Sequence, residues 1–401
     1  MIYATNVESN KSLQHGKQEV QMSDSLCLPD RRQFMQYMGA AALGTVVSPG
    51  IGNAALARFQ PGPAGGPGAS STSLKDVASQ KGLLFGSATN ATHLQEDKDY
   101  ANLIAQQCAI ITPANELKMR YLRPNPNAFK FDVGDWMLNW AQSHGMKMRG
   151  HALVYGEDAA LPPWFNGYVN RNNAKDVMVK HISTVVRHYA GKLHSWDVVN
   201  EALQGADLRD TPWMKFVGPD YLEIAYRTAG EADPNATLVY NENNIEFAAQ
   251  DNKRNGTLKI LNGLLSKKAP IHALGIQSHL RWEMGGFEPG KMRKFLNQVS
   301  DLGLKIFITE LDCHERDNDV KIDDRDRTVA QYYADYLGTV LENKNATVVQ
   351  TWNLTDRYTW LSQQAPRRDG QAVRPLPFDQ SLSPKPTFDA MVKAFEHAPS
   401  R

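Results

Sequence analysis

The chain has 401 residues, and its 44 Lys+Arg and 43 Asp+Glu leave a formal net charge of +1. So even a balance gives no electrostatic drive toward nucleic acid or an anionic membrane surface, and neither is expected as a partner. A hydrophobic share of 42% supports a large core, while the 3 cysteines (Cys27, Cys108 and Cys313) fit neither a disulfide framework nor a zinc-type spacing.

The chain opens with a leader. Arg31-Arg32-Gln33-Phe34-Met35 precedes a mildly apolar run from Tyr37 to Val47 and a small-x-small cleavage pattern, Ala55-Leu56-Ala57. The paired arginines resemble a twin-arginine export signal, with Met22 as an alternative start. The apolar run is too short to span a bilayer as a lasting helix. Residues 1–57 are therefore expected to direct export to the periplasm or beyond, leaving a mature monomer without a membrane anchor. Residues 58–73, rich in Pro, Gly and Ser, read as a flexible linker. Residues 74–401 read as one domain.

Within that domain short apolar runs alternate with amphipathic stretches. Strands are expected at Gly82–Ala88, Cys108–Thr112, Met146–Val154, His194–Val199, Thr237–Asn241, Ala273–Ser278, Lys305–Thr309 and Thr347–Trp352. Helices are expected at Asp132–His144, Ala174–Tyr189, Pro219–Ala232, Lys291–Leu302 and Arg327–Leu341. This alternation predicts an α/β fold, a (β/α)₈ TIM barrel. A doubly wound open sheet is the competing fold, but no Gly-rich phosphate fingerprint follows the first strand.

Polar residues gather where these strands end: Asn115 and Lys118, His151, Asn200 and Glu201, Gln277 and His279, Glu310 and Asp312, and Trp352. In a barrel such positions converge on one face. Two of the strands, Trp196–Glu201 and the run from Leu304 through Asp312, each deliver a glutamate. A pair of carboxylates without metal-ligand spacing points to glycosidic bond cleavage, one carboxylate attacking and the other moving the proton, with no cofactor.

These segments, with Arg149-Gly150-His151, Gln277-Ser278-His279-Leu280, Trp352–Trp360 and Pro384-Lys385-Pro386, run in the order of glycoside hydrolase family 10, the retaining endo-β-1,4-xylanases, which the chain resembles over nearly the whole domain. The resemblance implies roles. Glu201 would be the acid/base and Glu310 the nucleophile. Asn200 would hold the sugar 2-hydroxyl. His279, oriented by Asp312, would bond the nucleophile, with Gln277 in the same network. Asn115, Lys118 and His151 would bind glycone hydroxyls, and Trp352 and Trp360 would wall the cleaved residue of a xylan or xylo-oligosaccharide. Four features depart from the family pattern: Ala114 replaces a Glu, Tyr155-Gly156 replaces Trp-His before a longer loop (Glu157 to Leu161), Asn243 replaces an aromatic residue, and Asn353 follows Trp352 in place of Gly. Ala114 and Asn243 together lead to the expectation of a roomier glycone site. They leave open a β-glycosidase of other specificity, or a binding protein that has lost catalysis.

Overall fold

The computed structural model describes residues 72–281, 284, 286–315 and 321–401. The twin-arginine pattern and nearly all of the expected linker lie outside them. The Ser73 hydroxyl accepts from the Asp76 amide and caps the helix Leu74–Ser79, as serine does before a first helical turn. Ser73 is thus the start of the domain, not the end of the linker.

Eight strands form the barrel: β1 (Leu84–Thr89), β2 (Ile110–Pro113), β3 (Lys147–Gly150), β4 (Ser195–Asn200), β5 (Thr237–Glu242), β6 (Ala273–Ile276), β7 (Lys305–His314) and β8 (Ala346–Trp352). Each pairs in parallel with the next, and β8 pairs with β1 from Leu84↔Val348 to Ala88↔Trp352. Closure leaves the barrel no edge. The strands are short and buried on both faces, which is why they read as continuous apolar runs. Outside, Val, Leu, Ile and aromatic side chains pack between sheet and helices in one large core. Inside, Val239, Ala273, Phe307 and Val348 form a separate plug. Above the plug the interior is polar: Thr112, Arg149, Asp197, Asn241 and Gln350 are all buried, and the Gln350 side chain accepts from Thr112 and Arg149.

Two strand readings are corrected. The third strand does not run on to Val154. It ends at Gly150, and Val154–Tyr155 resumes as a separate piece paired to Val199–Asn200 of β4. The seventh does not stop at Thr309 but continues to His314, gaining a third partner in His279–Arg281. The helix Asp251–Ser266 lacks a clean amphipathic pattern because its buried face carries Lys253, Arg254 and Thr257. The expected helices are otherwise found with ends moved by a few residues, for instance Ala174–His188 and Ile322–Val340.

Bulges aim the two carboxylate strands. Asp197 pairs with Val239 and Asn200 with Asn241, so β4 spends three residues where β5 spends two. In β7, Ile308 pairs with Val349 and Leu311 with Thr351, again one extra residue. An extra residue reverses the alternation of faces beyond it. Asp197 and Asn200 therefore both point inward, as do Thr309 and Glu310.

Candidate active site

The ends of β2 through β8 meet in an open cavity of about 280 Å³, whose lining includes Lys118, His151, Tyr155, Glu201, Asn243, Gln277, His279, Glu310, Trp352 and Trp360. The carboxylates of Glu201 and Glu310 are joined by amides. Gln277 Nε2 donates to Glu201 Oε1 at 2.9 Å and lies 3.4 Å from Asn200 Oδ1. Asn241 Nδ2 donates to the same Asn200 oxygen at 2.8 Å and to Glu310 Oε1 at 2.7 Å. Asn241 Oδ1 in turn accepts from Thr309 at 2.7 Å, which fixes which way the amide faces.

The two carboxyls are placed in opposite electrostatic surroundings. Burial by itself would raise Glu310. The hydrogen bond from His279 Nε2 (3.2 Å) and the positive charges of His151, His279 and Arg149 outweigh it and hold Glu310 at about 2. His279 is buried too, which opposes its charge, but Asp312 and Glu310 override this and carry it to about 10. Its Nδ1 lies 3.0 Å from Asp312 Oδ1, within ion-pair reach although the N–H is not aimed for a hydrogen bond. Asp312 Oδ2 accepts from Trp360 Nε1 at 2.6 Å, so one carboxylate orients both the imidazole and the indole. Glu201 moves the other way. Burial raises it, the Gln277 bond resists, and the nearby charge of Glu242 and Glu310 adds to the rise. One carboxyl is thus kept ionised and the other is disposed to keep its proton, the division of labour that acid–nucleophile chemistry requires.

The other candidate residues lie at or beside the cavity. His151 lines the cavity with Nδ1 tied at 2.8 Å to Asp197, which also pairs with Arg149, so that its other nitrogen is turned toward the opening. The Trp352 ring stands edge-on to His151 at 5.4 Å, and Trp360 lies 5.0 Å from His279. Lys118 faces the cavity, but Asn115 is not among its lining; Asn115 Oδ1 instead accepts from Lys118 Nζ at 3.0 Å. It holds a side chain that reaches the cavity. Ala114 is buried and follows β2, whereas Asn243 lines the cavity beyond β5.

Several residues escaped the sequence reading. Asn241 ends an apolar strand just as Glu201 and Glu310 do, so the strand-end criterion could have found it. Arg209 reaches Glu201 Oε2 at 3.5 Å and pairs with Glu157 from a loop that carries no pattern. Glu242 and Lys253 form a buried ion pair at 2.9 Å that braces the loops behind Glu201: Glu242 accepts from the amides of Leu203 and Asn243, both at 3.1 Å. Among the described residues no group of three His, Cys, Asp or Glu could hold a metal ion.

A closed parallel barrel with a depressed and a raised carboxyl at the C-terminal ends of its strands defines a glycoside hydrolase of the TIM-barrel class. The family model for glycosyl hydrolase family 10 matches residues 73–394, and the chain belongs to that family. Among its relatives is a beta-1,4-xylanase of Dictyoglomus thermophilum, 33% identical over 308 residues that cover 73% of this chain and 84% of the relative. Among solved structures, xylanase 10B from Thermotoga petrophila in complex with xylobiose aligns with a TM-score of 0.76 at 29% identity, covering 82% of this chain and 99% of that one. Xylanase 10B from Thermotoga maritima aligns with a TM-score of 0.75 at 29% identity, over 81% and 98%.

Proposed function

We propose that this protein is a retaining endo-1,4-β-xylanase that cleaves internal bonds of xylan by double displacement, with Glu310 as nucleophile and Glu201 as acid/base. The observation that carries the assignment is the pair Glu201 and Glu310, linked through Gln277, Asn200 and Asn241 at the barrel mouth of a family 10 chain, with the two carboxyls tuned in opposite directions. In the first step Glu310 attacks the anomeric carbon while Glu201 gives its proton to the departing sugar oxygen. Ester formation then removes the Glu310 charge that had helped hold the proton on Glu201, so Glu201 can take a proton from water in the second step. Asn200, its carbonyl occupied by Asn241 and Gln277, keeps its amide N–H for the sugar 2-hydroxyl, a bond that strengthens as the oxocarbenium-like state forms. Lys118 and His151 bind hydroxyls of the retained sugar, and Trp352 and Trp360 wall it. Xylanase relatives, and a solved relative holding xylobiose, support xylo-oligosaccharides as ligands. Export through the twin-arginine-type leader, and a monomeric mature chain, belong to the same proposal.

The test is digestion of glucuronoarabinoxylan by the domain from residue 72 onward, read by mass spectrometry beside Glu310→Ala. Xylo-oligosaccharides that disappear in the variant are expected. An absence of products from the unaltered protein would reject the xylanase assignment, and products that survive the substitution would reject Glu310 as nucleophile.

A further inference from the structure

Glu201 is held from two sides of the barrel. From the β6 side, Gln277 Nε2 donates to its Oε1 at 2.9 Å. From the β3 side, the Tyr155 hydroxyl donates to the same oxygen at 3.0 Å, and Asn200 Nδ2 lies 3.3 Å away. Tyr155 reaches this position because Val154–Tyr155 pairs with Val199–Asn200, which sets Tyr155 beside the residue preceding Glu201. Among the described residues, the other oxygen, Oε2, has its one hydrogen-bond contact with the more distant Arg209, at 3.5 Å.

The neighbouring glycine belongs to the same arrangement. A Cβ at Gly156 would lie 2.3 Å from Thr211 Cγ2 and 2.5 Å from Thr211 Cβ. Only a glycine lets the Thr211 segment come this close. That segment carries Arg209, which pairs with Glu157 on the far side of the glycine. Tyr155 and Gly156, two adjacent departures from the family pattern, thus govern what each oxygen of Glu201 meets.

We infer that Tyr155 is a positioning residue for the acid/base: its hydroxyl, opposite Gln277, commits Oε1 of Glu201 as an acceptor and leaves Oε2 to carry and deliver the proton. This rests on the assignment of Glu201 made above. A proton on Oε1 would compete with the amide N–H groups of Gln277 and Asn200, which cannot accept, and with the Tyr155 hydroxyl, whereas among the described residues Oε2 meets the longer Arg209 contact. The proton therefore resides on Oε2, passes from there to the departing oxygen, and is replaced there from the attacking water. Tyr155 also favours the ionised form by donating to it, which serves the second step.

The experiment compares Tyr155→Phe with the unaltered enzyme on two substrates, xylohexaose and a dinitrophenyl β-xylobioside, whose leaving group departs without a proton. Loss of one hydrogen bond to a charged group should move the alkaline limb of kcat/KM on xylohexaose upward by about one pH unit or more, and lower its plateau about tenfold or more. The aryl substrate should lose less than about threefold. An unmoved alkaline limb, or equal losses on the two substrates, would overturn the inference and leave Tyr155 as a packing residue. Glu201→Gln run alongside separates the two levels: it should spare cleavage of the aryl bond far more than that of xylohexaose, and equal behaviour on both would remove the acid/base assignment itself.

Discussion

Replacing His279 by Ala tests the electrostatic argument most directly. Glu310 stands at about 2 against an ordinary 4.5, which at 1.36 kcal/mol per pH unit is roughly 3 kcal/mol in favour of its ionised form. That surplus remains after burial has been overcome, and His279 contributes to it twice, by hydrogen bond and by charge. Without the imidazole, His151, Arg149 and the Asn241 amide are left to offset burial, so Glu310 should rise toward its ordinary 4.5. The free enzyme needs Glu310 ionised, so the acid limb of kcat/KM should rise by about one pH unit or more. At about pH 4 the native enzyme should still be on its plateau while the variant is already falling. On the plateau, loss of a charged hydrogen bond should cost about 10- to 150-fold. The sign for stability follows from the same shifts. Glu310, depressed when folded, supports the fold above pH 4.5, and that support is lost as the pH falls toward about 2. His279, raised to about 10, contributes fully below 6.5 and loses its contribution as the pH rises toward 10. The assay is kcat/KM on xylohexaose from about pH 3 to pH 9, with a thermal melt at each pH to exclude unfolding. An acid limb that moves by less than about half a pH unit would refute the assignment of His279 as the group that keeps Glu310 ionised.

Gly275→Ala should impair catalysis from outside the cleft: a methyl there would lie 2.4 Å from Asn241 Oδ1, so the amide bridging Asn200 and Glu310 must turn or shift. A kcat loss of about tenfold or more with a smaller change in KM is expected from steady-state kinetics, and unchanged kcat would show the bridge to be idle. Lys385→Ala should destabilise the closing segment, because Lys385 Nζ is paired at 2.7 Å with the fully buried Asp356. Breaking such a pair costs about 3–5 kcal/mol. Burial already raises Asp356 to about 6 against the pull of Lys385, so in the variant its carboxyl can take a proton as the pH falls. The drop in Tm should therefore be larger at pH 8 than at pH 5, and equal drops would mean that Asp356 is not left charged.

The sequence alone determined the chemistry of the site because that chemistry sits at strand ends. Most of the short apolar runs lead into a polar residue, and an apolar run buried on both faces is legible without knowing its neighbours. Glu201, Glu310, Asp312, Gln277, His279 and Trp352 were found in this way, and the family pattern added Trp360. What the sequence could not decide was the direction in which each side chain points. Strict alternation puts Asp197, Val199 and Glu201 on one face, and Phe307, Thr309 and Leu311 on one face, so that Asn200 and Glu310 would turn away from the barrel interior. The bulges in β4 and β7 reverse this, and a bulge is a mismatch between two paired strands that neither strand records by itself. The same reason hid Arg209 and the helix Asp251–Ser266, whose Lys253 and Arg254 look solvent-bound until Glu242 and the carbonyls of Ile245 and Phe247 are brought against them. Residue types and strand ends are local properties of the chain, whereas facing and partnership exist only between segments that the fold has brought together.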